Sequence, residues 1–267
     1  MIRSDLPTDQ QLAAIAQHSA AFAEVVDGHF DAAVEYCPGW TVADLVAHIT
    51  EVQWFWATIA EERPTEQPAG DDPRRPAPIT DPAAALTRFE TGAARLVEVL
   101  RAADQSARCW TWTPDQQDIA FITRHQVQEI AVHHWDAARA AAGPAAVAPV
   151  IAPDVATDAV TEFLTFSVAS DTDPAPDDRE SLDGVFRLRA TDTDTVWSIH
   201  PGQKPATATY EIVAAGEVAE QAEQAEQPEI AATAADLLLW LYGRVVLDTS
   251  SVDDVLLGRF RRLCFTD

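Results

Sequence analysis

The sequence predicts an α + α/β chain, with a four-helix bundle over residues 1–150 and a small mixed α/β domain over residues 151–267. Three observations predict it. Apolar residues recur at helical spacing from Leu6 to about Ala142, in four segments separated by Pro-rich or polar breaks. An Ala/Pro/Val stretch ending at Pro153 then interrupts that period. Beyond it, runs such as VFRLRA and VWSIH alternate with the period of two expected of strands.

Each element has its own signal. The first helix, about Thr8 to Phe30, sets Leu12, Ile15, Ala16, Ser19, Phe22, Val25 and Val26 on one face. The second starts inside CPGWTVADLVAHI, where Thr41 is a good N-cap, Asp44 follows three residues on, and Trp40 and Leu45 have hydrophobic-staple spacing. Trp40 is read as that staple rather than as a substrate platform. Arg63 to Pro82 reads as an irregular crossover, because its prolines would break a helix. A third helix is expected over Pro82–Ala103 and a fourth over Gln117–Ala142, stopped by Gly143-Pro144. In the second half, a helix at Ala156–Ala169 precedes VFRLRA and VWSIH, and ATATYEIV supplies a third strand. GEVAEQAEQAEQPE is a short A-E-Q repeat, read as a solvated loop without functional weight. Thr233 with Asp236, and Ser251 with Asp254, start two closing helices.

Charge and cysteine usage narrow the function classes. Acidic residues outnumber basic ones 43 to 18, and the net charge of -25 repels nucleic-acid phosphates and anionic lipid alike. A well-solvated surface accounts for the acidity. Cys37, Cys109 and Cys264 are widely separated without C-x-x-C spacing, so neither a disulfide framework nor a thiolate zinc site is indicated. No stretch approaches the roughly 18 apolar residues of a membrane span, and the expected setting is the reducing cytoplasm.

The chemistry-bearing residues lie on helices two and four. Leu45, His48, Ile49, Val52, Phe55, Trp56 and Ile59 form one stripe of helix two, which carries His48 toward the apolar interior, where it needs a partner. Glu129 and His133 are four residues apart and share a face of helix four. With His48 they make two imidazoles and a carboxylate, the three-ligand set of a catalytic zinc with an open fourth position. An ordinary ion pair plus a hydrogen-bonded core histidine fits the same spacing, which alone leaves both readings open. Asp136, three residues after His133, either orients that imidazole or faces solvent. His125 and His134 are read as turned away from the proposed ligands, at about 100° per residue, into surface or supporting roles.

The segments CPGWTVADLVAHI and RHQVQEIAVHHWDAARA together resemble the mycothiol-dependent maleylpyruvate isomerase family. The GVFRLRA strand and AADLLLWLYGR helix extend that resemblance over nearly the full chain. It implies a DinB-like metal-binding bundle followed by a sterol-carrier-like domain, with His48, Glu129 and His133 as zinc ligands. It further implies mycothiol, the low-molecular-weight thiol of actinobacteria, as cosubstrate and a small electrophile as substrate. In such an isomerase the thiolate adds to the cis double bond of maleylpyruvate, permits rotation and leaves. An arginine of the second domain, assigned to Arg244, would reach the substrate carboxylates; Arg244 reads equally well as a cation complementing a helix C-terminus. The Pro-rich crossover and the A-E-Q stretch depart from a compact member and leave the substrate open. A mycothiol S-transferase of detoxification is one alternative; a non-catalytic metal- or lipid-binding protein is another. Metal-assisted hydrolysis through the same open position is a third. The ligand set also accepts nickel, cobalt or iron, and the sequence does not fix the oligomeric state.

Overall fold

A computed structural model describes residues 4–77, 79–143, 149–172, 180–213 and 227–265. Residues 144–148 of the expected linker, and residues 214–226, which include most of the A-E-Q stretch, lie outside the described residues. The described residues hold seven helices and one four-stranded sheet, in two compact units, Asp5–Val150 and Ile151–Asp267. No helix among them is long and apolar enough to cross a membrane.

The first unit contains α1 (Thr8–Val26), α2 (Val42–Glu62), α3 (Pro82–Ala102) and α4 (Ile119–Ala142). Helix α1 stops a turn before Phe30, because Asp27 turns extended and Gly28 takes a φ of +76°. The chain then runs back along the start of α2: Ala43 N–H donates to Phe30 O (3.0 Å) and Val42 N–H to Ala32 O (2.9 Å). Thr41 caps α2 through a capping box, its hydroxyl accepting from Asp44 N–H while Asp44 Oδ2 accepts from Thr41 N–H at 2.8 Å. Asp81 caps α3 with Pro82 in its first turn, and Asp118 caps α4. Helix α1 packs on α4 and α3, and α2 packs on α3 and α4, which closes the four into a ring. Its core at the α2 start is Phe22, Val26, Val42, Leu45, Val46, Ile49, Phe89 and Ile130, all buried. Each such side chain removed from water contributes about 1.5–3 kcal/mol, far more than a cap, so packing rather than capping holds the bundle closed.

The second unit contains α5 (Pro153–Phe166), β1 (Phe186–Ala190), β2 (Val196–Pro201), β3 (Ala208–Val213), β4 (Glu229–Ala232), α6 (Ala234–Leu241) and α7 (Asp254–Leu263). The sheet order is β3-β2-β1-β4, antiparallel except for the parallel β1–β4 pair. Strand β4 was not expected, since it takes Glu229, the last residue of the stretch read as a loop, and adds only three residues to it, of which only Ile230 is buried. Helix α5 packs on α6 and β3, with Trp197 Nε1–H donating to Thr161 Oγ1 at 3.0 Å through the interior. The expected Ser251 cap is also corrected. Asp253 caps α7, accepting from Val255 N–H (2.9 Å) and Leu256 N–H (3.1 Å), while Ser251 Oγ–H donates to Glu229 O.

Candidate metal centre

Helix α4 is buried from Phe121 to Ala138 except at His125, Glu129 and His133. Those half-buried positions recur every four residues and so form one open stripe on an otherwise covered helix. Helix α2 brings His48 to the middle of that stripe. His48 Nε2 lies 3.1 Å from Glu129 Oε1, and His133 Nε2 lies 3.7 Å from the same oxygen. The His48 and His133 rings stand edge to face, 5.3 Å apart. One donor atom from each of His48, Glu129 and His133 lies within 4.8 Å of the other two.

His48 is not in the apolar interior. Its side chain is 33% exposed, against 21% for Glu129 and 12% for His133. The stripe of helix two passes beneath it through buried Leu45 and Ile49, while the His48 ring rests 5.1 Å from the ring of Trp40. Trp40 packs on the core cluster that contains Leu45, as a staple does, and also walls one side of the histidine. Pro76, Ala77 and Ile79 of the crossover line a groove of about 120 Å³ that includes His48 and Glu51. The irregular crossover is therefore placed where it can shape access to the histidine.

Asp136 faces His133, not solvent. Its carboxylate is fully buried and its Oδ2 accepts from His133 Nδ1–H at 3.0 Å. That bond puts the proton on Nδ1 and leaves the lone pair of Nε2 directed to the Glu129 side. Burial works against the ionised Glu129. The hydrogen bond from His48, together with the electrostatic influence of His133, His48 and His125, outweighs it and holds the carboxyl down at about 2. The cluster thus offers one anionic oxygen and two imidazole nitrogens pointed at one small volume, a donor set suited to a tetrahedral divalent ion with one position left open. The residues present fit zinc.

Two histidines depart from expectation. His125 is four residues before Glu129, so it returns to the same face instead of turning away. It stacks on Phe121 at 5.4 Å and sits edge-on to Trp56 and Trp112, with Gln128 Nε2–H directed at its Nδ1 at 3.0 Å. His134 points into the bundle, where its Nδ1 lies 3.1 Å from Nδ1 of His18 on α1. Burial, and secondarily the charge of His18, push the His134 imidazole down to about 4. Arg244 belongs to the second unit, just past α6. It donates from Nη1 to Tyr242 O (2.8 Å) and lies over the Tyr242 ring at 5.7 Å. Sequence reasoning passed over Cys37, whose thiol stands beside His133 and Asp136. Its only linear signal is its place in CPGW, directly before a capped helix.

Comparison with known proteins bears on the domain and the fold. A family model described as the mycothiol maleylpyruvate isomerase N-terminal domain matches residues 12–138, a span that contains His48, Glu129 and His133. No curated protein matches the chain by sequence. Among solved structures, it is similar to the mycothiol-dependent maleylpyruvate isomerase and to a mutant of that enzyme, each at 14% identity and a TM-score of 0.59. The likeness covers 92% of this chain and 93% of each of those chains, so the bundle and the small α/β unit recur there in the same order. Residues 12–138 thus match the mycothiol maleylpyruvate isomerase N-terminal domain, and over the whole chain the likeness to the solved isomerase is one of fold.

Proposed function

We propose that this chain is a zinc- and mycothiol-dependent enzyme that adds a thiolate to a small electrophile, with cis–trans isomerisation of maleylpyruvate or a related acid as its reaction. The observation that carries the reading is the convergence of His48 Nε2, Glu129 Oε1 and His133 Nε2, with buried Asp136 fixing the tautomer of His133. A bound zinc would supply one net positive charge beyond that of Glu129, which favours mycothiol as its thiolate at neutral pH. The protein residues do the rest. His48 and His133 hold their nitrogens toward one point, Glu129 brings its carboxylate to it, and the Trp40 ring packs beside that of His48. Arg244 is assigned to the substrate carboxylates, for which a guanidinium fork is suited.

The test uses the purified full chain with zinc, mycothiol and maleylpyruvate. The expected result is loss of the cis acid and appearance of the trans acid with the thiol regenerated, abolished in His48→Ala together with stoichiometric zinc. Net consumption of thiol on other electrophiles would assign a transferase instead. Stoichiometric zinc in both wild type and His48→Ala, or an unchanged substrate and unchanged thiol, would overturn the reading.

A further inference from the structure

The turn before α2 is built to press a thiol against α4. Val34 N–H donates to Trp40 O (2.9 Å), Cys37 N–H to Val34 O (3.3 Å) and Trp40 N–H to Cys37 O (2.9 Å). Gly39 supplies the positive φ, +86°, that this turn requires. Three consecutive residues of the turn then meet α4. Glu35 accepts from Arg139 Nη2 at 3.0 Å, the Tyr36 ring lies 5.5 Å from that of Trp135, and Cys37 joins His133 and Asp136. One donor atom from each of Cys37, His133 and Asp136 lies within 4.8 Å of the other two. The thiol is thus held by an anchor on the two residues before it, in a half-buried position.

We propose that Cys37, His133 and Asp136 form a second cation position, one that prefers thiophilic divalent ions and competes for His133 with the position formed by His48 and Glu129. The donor chemistry separates the two. A thiolate is a soft ligand, whereas the neighbouring set has only imidazole and carboxylate donors. Asp136 is a carboxylate with a fully buried side chain, and a cation beside it offsets the cost of burying that charge. The competition follows from the shared imidazole. Asp136 Oδ2 sits at Nδ1 and Glu129 faces Nε2, and a neutral imidazole has one lone pair to give. An ion taken up beside Cys37 claims Nδ1, whose proton is relayed through water to Nε2 while the thiol proton is released to water; Nε2 then has no lone pair to give and leaves the first set. The protein therefore seats one ion in either of two places, and ligand softness decides which.

The other cysteines cannot mimic this. Burial pushes the thiol of Cys109 up to about 11 and that of Cys264 up to about 12, and neither joins a metal-ligating group among the described residues. The test titrates cadmium, then zinc, into the metal-free full chain and into Cys37→Ser, Cys37→Ala and His48→Ala. Wild type is expected to bind one equivalent of cadmium with thiolate-to-cadmium absorption in the near ultraviolet. Both Cys37 variants should lose that band and bind cadmium about 10–100-fold more weakly, with zinc affinity little changed. His48→Ala should show the reverse, weaker zinc with the cadmium band retained. A wild type without the band, or Cys37 variants that bind cadmium as tightly as wild type, would overturn the proposal. Loss of zinc in His48→Ala is read separately and bears only on the first position.

Discussion

At the scale of single residues, Asp136 shows how much of the centre depends on a side chain that need not touch an ion. Its bond to His133 Nδ1 selects the tautomer, so a substitution that keeps the shape but removes the charge weakens that selection. Asp136→Asn is expected to lower zinc affinity by about 10–100-fold without loss of fold, read by competition with a chromophoric chelator and by circular dichroism. An affinity equal to that of wild type would show that the imidazole is oriented by other contacts. The site was partly legible in sequence because Glu129 and His133 are neighbours on one helix, where spacing translates directly into a shared face. His48 is 81 residues from Glu129, and only the resemblance tied the two together. His125, four residues before Glu129, falls on the same face by the same arithmetic. Cys37 was invisible to a search for paired cysteines, since its companions are an imidazole and a carboxylate far along the chain.

At the scale of elements, the start of α2 matters most, because Thr41, Trp40 and Cys37 all lie within one turn of it and His48 lies on its second turn. The Thr41–Asp44 capping box satisfies orphan donors at that end, where Asp44 Oδ2 also accepts from the Thr41 hydroxyl at 2.7 Å. Thr41→Ala removes the side-chain half of the box and is expected to cost about 1 kcal/mol of unfolding free energy, measured by urea titration of the full chain. A loss below about 0.3 kcal/mol would mean that the buried Val42, Leu45 and Val46 hold the turn without the cap. Strong local signals were legible in this way: α2 and α6 start at the expected caps Thr41 and Thr233, and α3 and α4 start within two residues of the expected positions. Elements fixed by tertiary contact were not. Helix α1 ends where Gly28 turns the chain, although apolar periodicity runs on to Phe30, which still packs on the core. Strand β4 exists because β1 offers it a parallel edge, a fact absent from its four residues.

At the scale of the whole molecule, the change of period from helical to alternating was legible as a change of architecture, because each half buries its own apolar face. What composition did not reveal is that the acidic surface and the buried histidines respond to acid in opposite directions. Lowering the pH protonates carboxylates and relieves the self-repulsion of a chain with net charge -25. His18 works the other way. It is buried on α1 against His134, and burial lowers its pKa from the ordinary value of 6.5, so the fold favours its neutral form. The unfolded chain takes up this proton first as the pH falls. The stabilisation is therefore complete above about 6.5 and is lost as the pH falls from there to the lower value of the folded state, with a slope of at most about 1.4 kcal/mol per pH unit for one proton. Wild type alone would not isolate this effect, because the relief of surface charge offsets it. His18→Asn keeps a hydrogen-bonding group near the position of Nδ1 and does not titrate. The difference between the two proteins' urea-derived stabilities, measured from pH 7 to pH 5 at constant ionic strength, should shift steadily in favour of the variant as the pH falls. A difference independent of pH over that range would show that His18 accepts its proton as readily in the folded bundle as in water.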